Sequence, residues 1–208
     1  MIGRAAHLLA RFRRRLAGDR RGATIIEFAI VAPVMCLMLV GAFDVAHTLY
    51  MRSVLQGIVQ KTGRDATLES GLESTQQATL DQRVKDQVAA IANNGVTTIT
   101  RKYYRTFSAA AVAQYEPYTD TNGNGTCDRS EPYEDTNNNS RWDSTGNTGQ
   151  GSAKDAVLYT VSVTYPRFFP LYSFVGGSNT TTVTATTVLR NQPYGDQAAP
   201  TVRNCPAS

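Results

Sequence analysis

Charge is missing where this chain is longest and most apolar. Across the twenty-one residues Ala23–Phe43 the only charged side chain is Glu27. As a helix that run spans about 31 Å, the thickness of a bilayer core, so it is predicted to be a membrane helix. Cysteine is scarce. Cys36, Cys127 and Cys205 are the only three, and their spacing fits no zinc motif. Histidine is scarcer still, and His47, with no partner cluster, is assigned no site. The polar body offers no nucleophile–base pairing, no Gly-rich phosphate loop and no paired carboxylates, which leaves a membrane-tethered enzyme without a catalytic constellation. Residues 114–151 contain no Val, Ile, Leu, Met or Phe and cannot build a core by themselves.

What charge there is sits at one end. The chain carries +4 overall, but residues 1–22 hold seven arginines against Asp19, a local +6 that leaves −2 for the remainder. A nucleic-acid surface needs basic residues on the folded body, so none is expected. A basic flank before an apolar run places residues 1–22 in the cytoplasm and the body on the far side of the membrane. Leu8, Leu9, Phe12 and Leu16 recur at helical spacing among the arginines; the leader is either a short amphipathic helix on the inner leaflet or a disordered basic segment. A secretory signal is the competitor, with Val40-Gly41-Ala42 as its cleavage site. Signal cores run about 7–15 residues, however, and have no use for Glu27 or Pro33. Pro33 removes a backbone bond and is expected to kink or loosen the helix.

A carboxylate inside hydrocarbon costs at least ~2–3 kcal/mol. The residues around Glu27 supply a reason for it. Gly22 followed by Ala23-Thr24-Ile25-Ile26-Glu27-Phe28 resembles the processing site of type IV prepilins, and residues 20–66 resemble the TadE-like pseudopilins of tight-adherence (Flp-type) pilus systems. The similarity is looser in the strands after residue 155 and does not cover residues 114–152. It implies cleavage after Gly22 by a prepilin peptidase, a mature chain beginning at Ala23, and partnership with other pilins and pseudopilins. It also implies a single pass through the inner membrane, with the N-terminus cytoplasmic and the C-terminal domain periplasmic. Physically, the freed amine of Ala23 would stand four residues from Glu27, one turn away on the same face. It can neutralise Glu27 of its own chain, or, as the family implies, of an adjacent subunit; either pairing offsets the desolvation cost. The alternative is a Glu27 hydrated at the headgroup boundary.

The body is expected to be α+β. The first helix continues to about Asp65, with Val45, Leu49, Arg52, Gln56, Val59 and Gly63 along one side and Leu55 and Ile58 adding apolar surface. Thr75–Asn94 reads as a second helix, with Leu80, Val84, Val88 and Ile91 at three-to-four spacing and Asn93-Asn94-Gly95 as its stop. Val96–Phe107, Ala156–Tyr165 and Asn179–Arg190 read as strands of a mainly antiparallel sheet packed by one face on the long helix. Pro166 and Pro170 close the second of these strands.

Residues 114–152 form an Asp/Asn/Gly-rich insertion with an internal repeat: EPYTDTNGNGTCD (116–128) aligns with EPYEDTNNNSRWD (131–143) at a period of fifteen. In the first copy Asp120, Asn122, Asn124, the Thr126 carbonyl, Asp128 and Glu131 take positions 1, 3, 5, 7, 9 and 12 of a calcium loop, with Gly125 at the turn position. The segment resembles EF-hand and dockerin-type loops, without clear flanking helices. The second copy offers Asp135, Asn137, Asn139, the Arg141 carbonyl and Asp143. It has Ser140 in place of glycine and Gly146 where the bidentate acid belongs, so it is a weaker site or one that borrows ligands. The alternative is a polar, flexible loop that binds nothing. Cys127 and Cys205 can pair in an oxidising compartment or remain free thiols. Residues 191–208 are Pro- and Ala-rich and are expected to be loose unless Cys205 ties them down. The chain thus divides into a leader (1–22), a membrane helix (23–43), helices and a first strand (44–113), the insertion (114–152), strands (153–190) and the tail. Two functions fit: a minor pseudopilin of a tight-adherence pilus, or a membrane-anchored calcium-binding envelope protein or adhesin outside any pilus.

Overall fold

The computed structural model describes residues 21–66, 74–128, 130–169, 176–191 and 195–206. The leader with Leu8, Leu9, Phe12 and Leu16 lies outside these, as does Pro170. The chain divides into two compact units, Met1–Ala46 and His47–Ser208.

In the first unit the described structure is the beginning of α1 (Arg21–Ala66), which runs through Pro33 without interruption. Its apolar side chains, among them Ile25, Phe28, Leu37 and Phe43, are exposed. This is the one described helix long and apolar enough to cross a membrane, and it is compatible with a single-pass anchor.

In the second unit the remainder of α1 buries Met51, Leu55, Val59, Thr62 and Ala66, a stripe at three-to-four spacing. Of the side expected from sequence, Val59 and Gly63 are buried, as is Leu55 beside them, whereas Val45 and Leu49 are exposed, Leu49 to 58%. Leu49 and Met51 are two residues apart and so about 200° apart around the helix; one sheet face can cover only one of them. The second helix, α2 (Ser74–Ile91), seals Leu80, Val84 and Val88 against the same core. It ends earlier than predicted because Gly95 N donates to Ala92 O (2.8 Å), turning the chain at Asn93-Asn94.

Strands β1 (Val96–Tyr104), β3 (Asn147–Thr148), β4 (Ala156–Pro166) and β5 (Thr180–Arg190) form an antiparallel sheet in the order β3-β1-β4-β5. From Val157 onward alternation in β4 is strict: Val157, Tyr159, Val161, Val163 and Tyr165 are buried under the two helices, with Val183, Ala185 and Leu189 of β5 beside them. Threonine and serine take the opposite face, where Ser162 pairs with Thr184 (3.0 Å) and Thr164 with Thr182 (2.8 Å). Arg101 of β1 donates to both oxygens of Asp81 on α2 (2.7 and 2.5 Å) and lies over the Tyr159 ring, which pins α2 to the sheet.

The first strand is shorter than expected. It stops at Tyr104, and α3 (Phe107–Val112) follows, capped by Thr106, whose hydroxyl accepts from Ala109 N (3.2 Å). The alanine-rich run Ser108-Ala109-Ala110-Ala111 favours a helix over a strand edge. Ala110 seats this helix against Tyr104, Ala156, Leu158 and Val188.

Two further strands, β2 (Pro132–Asp135) and β6 (Thr201–Asn204), form a separate antiparallel pair. Here the expectation of a loose tail gives way. Gln197 donates to Arg105 O (3.0 Å) and to Asp155 Oδ1 (2.6 Å), Arg105 donates to Ala198 O (2.5 Å), β6 pairs with β2, and Cys205 is joined to Cys127. The condition attached to that expectation, that Cys205 ties the tail down, is the one the structure meets.

Leu55→Ala should destabilise the purified full chain by ~2–5 kcal/mol in denaturant unfolding, because Leu55 lies in the closed part of the core. Leu49→Ala should stay within about 0.5 kcal/mol of wild type.

Candidate functional site

Two places carry the functional residues expected from sequence. The first is the start of α1. Gly22 and Glu27 are exposed, and Ala23 stands in the opening turn four residues before Glu27, the spacing that puts two positions on one helix face.

The second is the repeat. We call residues 120–128 loop one and residues 135–143 loop two. In loop one Asp120 Oδ1 accepts from the N–H groups of Gly123 (2.6 Å) and Asn124 (3.2 Å), and Oδ2 from that of Gly125 (2.8 Å). Asp128, at the far end, accepts from the side-chain amides of Asn122 (3.0 Å) and Asn124 (2.6 Å). Thr126 donates through its N–H and its hydroxyl to Asn124 Oδ1 (2.8 and 2.7 Å). Asp128 thus gathers the side chains of Asn122 and Asn124, while Asp120 holds the backbone of the same tight turn from its other end.

Loop two repeats the pattern fifteen residues on. Asp135 Oδ1 accepts from Asn139 N (3.0 Å) and Oδ2 from Ser140 N (2.8 Å). Asp143 accepts from Asn137 (3.1 Å) and Asn139 (2.9 Å), and Arg141 N donates to Asn139 Oδ1 (2.7 Å). The backbones agree as well: Gly123 and Gly125 have φ of 72° and 76°, and their counterparts Asn138 and Ser140 have 57° and 64°. Ser140 thus adopts the left-handed conformation that glycine takes more readily.

The acids that close these loops are exchanged. Glu131, expected as the twelfth-position ligand, accepts instead from Thr121 N (2.8 Å), the Thr121 hydroxyl (3.0 Å), Asn122 N (3.4 Å) and Asp128 N (3.2 Å). It is the clasp of loop one, with 1% exposure. The equivalent bonds in loop two, from Thr136 N and its hydroxyl (both 2.8 Å) and Asp143 N (3.0 Å), go to Glu116 of the first repeat. Each repeat thus closes the loop of the other. Thr119 N to Pro132 O (2.9 Å) and Glu134 N to Pro117 O (2.8 Å) show the same reciprocity, as does the antiparallel bridge between Tyr118 and Tyr133. Two fifteen-residue units packed in this way are related by a local two-fold.

Gly146 shows why the second acid is borrowed. A side chain there would run into the ring of Tyr104, so no acid fits at that position. The sequence did carry a signal for the exchange: both repeats open on Glu-Pro-Tyr, and only one of those glutamates has a loop of its own before it.

The two clasps differ electrically. Burial pushes the Glu116 carboxyl above the ordinary range, against the pull of its hydrogen bonds from Thr136 and Asp143. Burial works the same way on Glu131, but the N–H groups of Asp128, Thr121 and Asn122 with the Thr121 hydroxyl outweigh it and hold that carboxyl below the ordinary range. Tyr115, Tyr118 and Trp142 cluster beside these acids, with ring centroids 5.6–6.1 Å apart, and Trp142 Nε1 donates to Glu116 O (3.0 Å).

Among the described residues no three His, Cys, Asp or Glu side chains form a metal-binding group. The oxygens that loop one can offer are a mixed set: the carboxylates of Asp120 and Asp128, the amide oxygens of Asn122 and Asn124, and the carbonyl of Thr126. Hard oxygens of this kind suit calcium better than any softer ion. His47, assigned no site, stacks edge-on against Tyr165 (5.6 Å) and Phe168 (5.5 Å).

Residues 22–64 match the family model described as TadE-like protein. Over this segment the chain resembles TadE-like proteins. The match covers α1 nearly to its end and none of the sheet or the repeat. No curated protein and no solved structure matches the chain.

Gly146→Ala should lower stability by ~1–3 kcal/mol through overpacking against Tyr104. Gly146→Glu should do so at least as strongly and should not rescue an acid for loop two. Denaturant unfolding of the purified chain measures both.

Proposed function

We infer that this chain is a minor pseudopilin of a tight-adherence pilus system. The observation that carries it is the TadE-like match over residues 22–64, which falls on an apolar helix whose sole charge between Ala23 and Phe43 is Glu27. The basic leader stays in the cytoplasm, a prepilin peptidase cuts between Gly22 and Ala23, and the body stands in the periplasm until the helix is drawn into a filament with other pilins. Glu27 then acts as a register device. Its charge is met by an Ala23 amine, and a subunit out of register leaves a carboxylate bare in hydrocarbon. The role is structural, not enzymatic. The second unit caps, primes or stabilises the filament.

We further assign calcium to loop one, held by Asp120, Asn122, Asn124, Asp128 and the Thr126 carbonyl. What favours it is the convergence of those side chains around a single turn. The ion would neutralise Asp120 and Asp128 and stiffen the exposed turn.

Mass spectrometry of the protein from its native cells should find a chain beginning at Ala23. An intact Met1, or a start at Phe43, would overturn the pilin assignment in favour of a membrane-anchored envelope protein or a cleaved signal. Glu27→Ala should leave cleavage largely intact and impair pilus assembly; normal pilus output would refute the pairing role. Calorimetry on the full chain in detergent should show calcium uptake with a dissociation constant of about 0.1–1 mM, lost in Asp120→Ala. No heat in the wild type would remove the metal.

A further inference from the structure

Loops one and two share a sequence pattern, a backbone path and a hydrogen-bond scheme, yet their first carboxylates stand in opposite situations. Asp120 is exposed and, among the described residues, accepts only from backbone N–H groups of its own loop. Among the described residues no basic side chain pairs with Asp120 or Asp128; Arg129 lies outside them. Asp135, the counterpart of Asp120, is 0% exposed and forms an ion pair with Arg203, whose Nε donates to Oδ2 at 2.6 Å. A carboxylate taken wholly out of water must be compensated by donors or by charge, and Asp135 has both: the N–H groups of Asn139 and Ser140, and the guanidinium of Arg203.

Arg203 is not a wandering surface side chain. It lies in β6, opposite Tyr133 of β2 in the strand register. Two residues before it, Thr201 hydrogen-bonds to Asn138 of loop two. Two residues after it, Cys205 is bonded to Cys127, and Cys205 N donates to Glu131 O (2.8 Å). The guanidinium is therefore delivered to Asp135 by a strand held on both sides. A divalent ion reaching for Asp135 as its first ligand would meet a positive charge already in contact with that carboxylate, and like charges at such range repel strongly.

We propose that Arg203 is the resident cation of loop two: it supplies to Asp135 the charge that loop one takes from calcium, so that the chain binds one calcium ion, at loop one, while its tail is docked. The stoichiometry rests on the calcium assignment to loop one; the role of Arg203 toward Asp135 does not.

Two measurements on the full chain in detergent test this. Titration with calcium chloride should give one ion per wild-type chain, one in Arg203→Lys, two in Arg203→Gln, none in Asp120→Ala, and one in Asp120→Ala combined with Arg203→Gln. Amide hydrogen exchange in chelator should be at least about tenfold faster over residues 135–143 in Arg203→Gln than in wild type. It should be unchanged over residues 120–128, and calcium should restore protection in loop two of that variant. Peptide mapping that still finds the Cys127–Cys205 bond shows that the tail of the variant is docked. Two ions in the wild type, or one ion with unaltered exchange in Arg203→Gln, would overturn the proposal. No calcium uptake by any variant overturns the loop-one assignment and the stoichiometry with it; unaltered exchange in chelator independently overturns the counter-ion role of Arg203.

Discussion

An antiparallel sheet buries a face only if something apolar covers it, and in this molecule one face receives nearly all the cover. Val161, wholly buried near the middle of β4, sits under the stripe formed by α1 and α2, and residues from Met51 to Leu189 gather around it. Everything else follows from where that apolar surface stops. Among the described residues the opposite face has only the small α3 at one end and is otherwise surfaced mainly with threonine and serine, whose β-branched or short side chains satisfy a strand without demanding burial. The insertion between β1 and β4 has no aliphatic side chains with which to join either face.

That insertion is consequently held by a different physics. Glu116 and Glu131 each gather several N–H and hydroxyl donors, and bonds to a charged acceptor contribute about 1.5–3 kcal/mol apiece where a neutral one contributes about half that. Arg203 and Asp135 add an ion pair in which the carboxylate is fully buried and the arginine side chain is 37% exposed. The Cys127–Cys205 bond closes a separation of 78 residues, a long loop of the kind whose closure constrains the unfolded chain most. Polar assemblies of this sort tolerate no half-measures: each buried carboxylate that lost its donors would be a net cost. The reciprocal exchange of Glu116 and Glu131 makes the two repeats one folding unit, since neither loop is closed by its own residues alone.

How much of this could be read in the sequence depended on the distance over which each feature is encoded. Features set by near neighbours were legible: the period-two alternation of β4, the Asn93-Asn94-Gly95 stop, the apolar run around Glu27, and the Asp-x-Asn-x-Asn spacing of the loops. The short helix α3 was missed because its threonine cap and alanines directly continue a strand pattern. The buried stripe of α1 was only partly legible, Leu55, Val59 and Gly63 falling on it and Leu49 off it, because Leu49 and Leu55 are equally apolar and only the sheet decides between them. The exchange of the clasping acids was half visible in the doubled Glu-Pro-Tyr. Arg203 gave no sign at all, since nothing local marks an arginine sixty-eight residues downstream as the partner of Asp135.

The order of the chain gives the clasp between β2 and β6 one more consequence. Thr201, Arg203 and Cys205 come after every element they fasten, so during synthesis the two loops exist for a time without them. Until that stretch arrives, Asp135 has no counter-charge and Cys127 no partner. The module is thus finished from its downstream side, and a chain cut short before residue 201 would keep its helices and main sheet while carrying an unfastened surface, a difference that a quality-control protease could sense by cleavage alone.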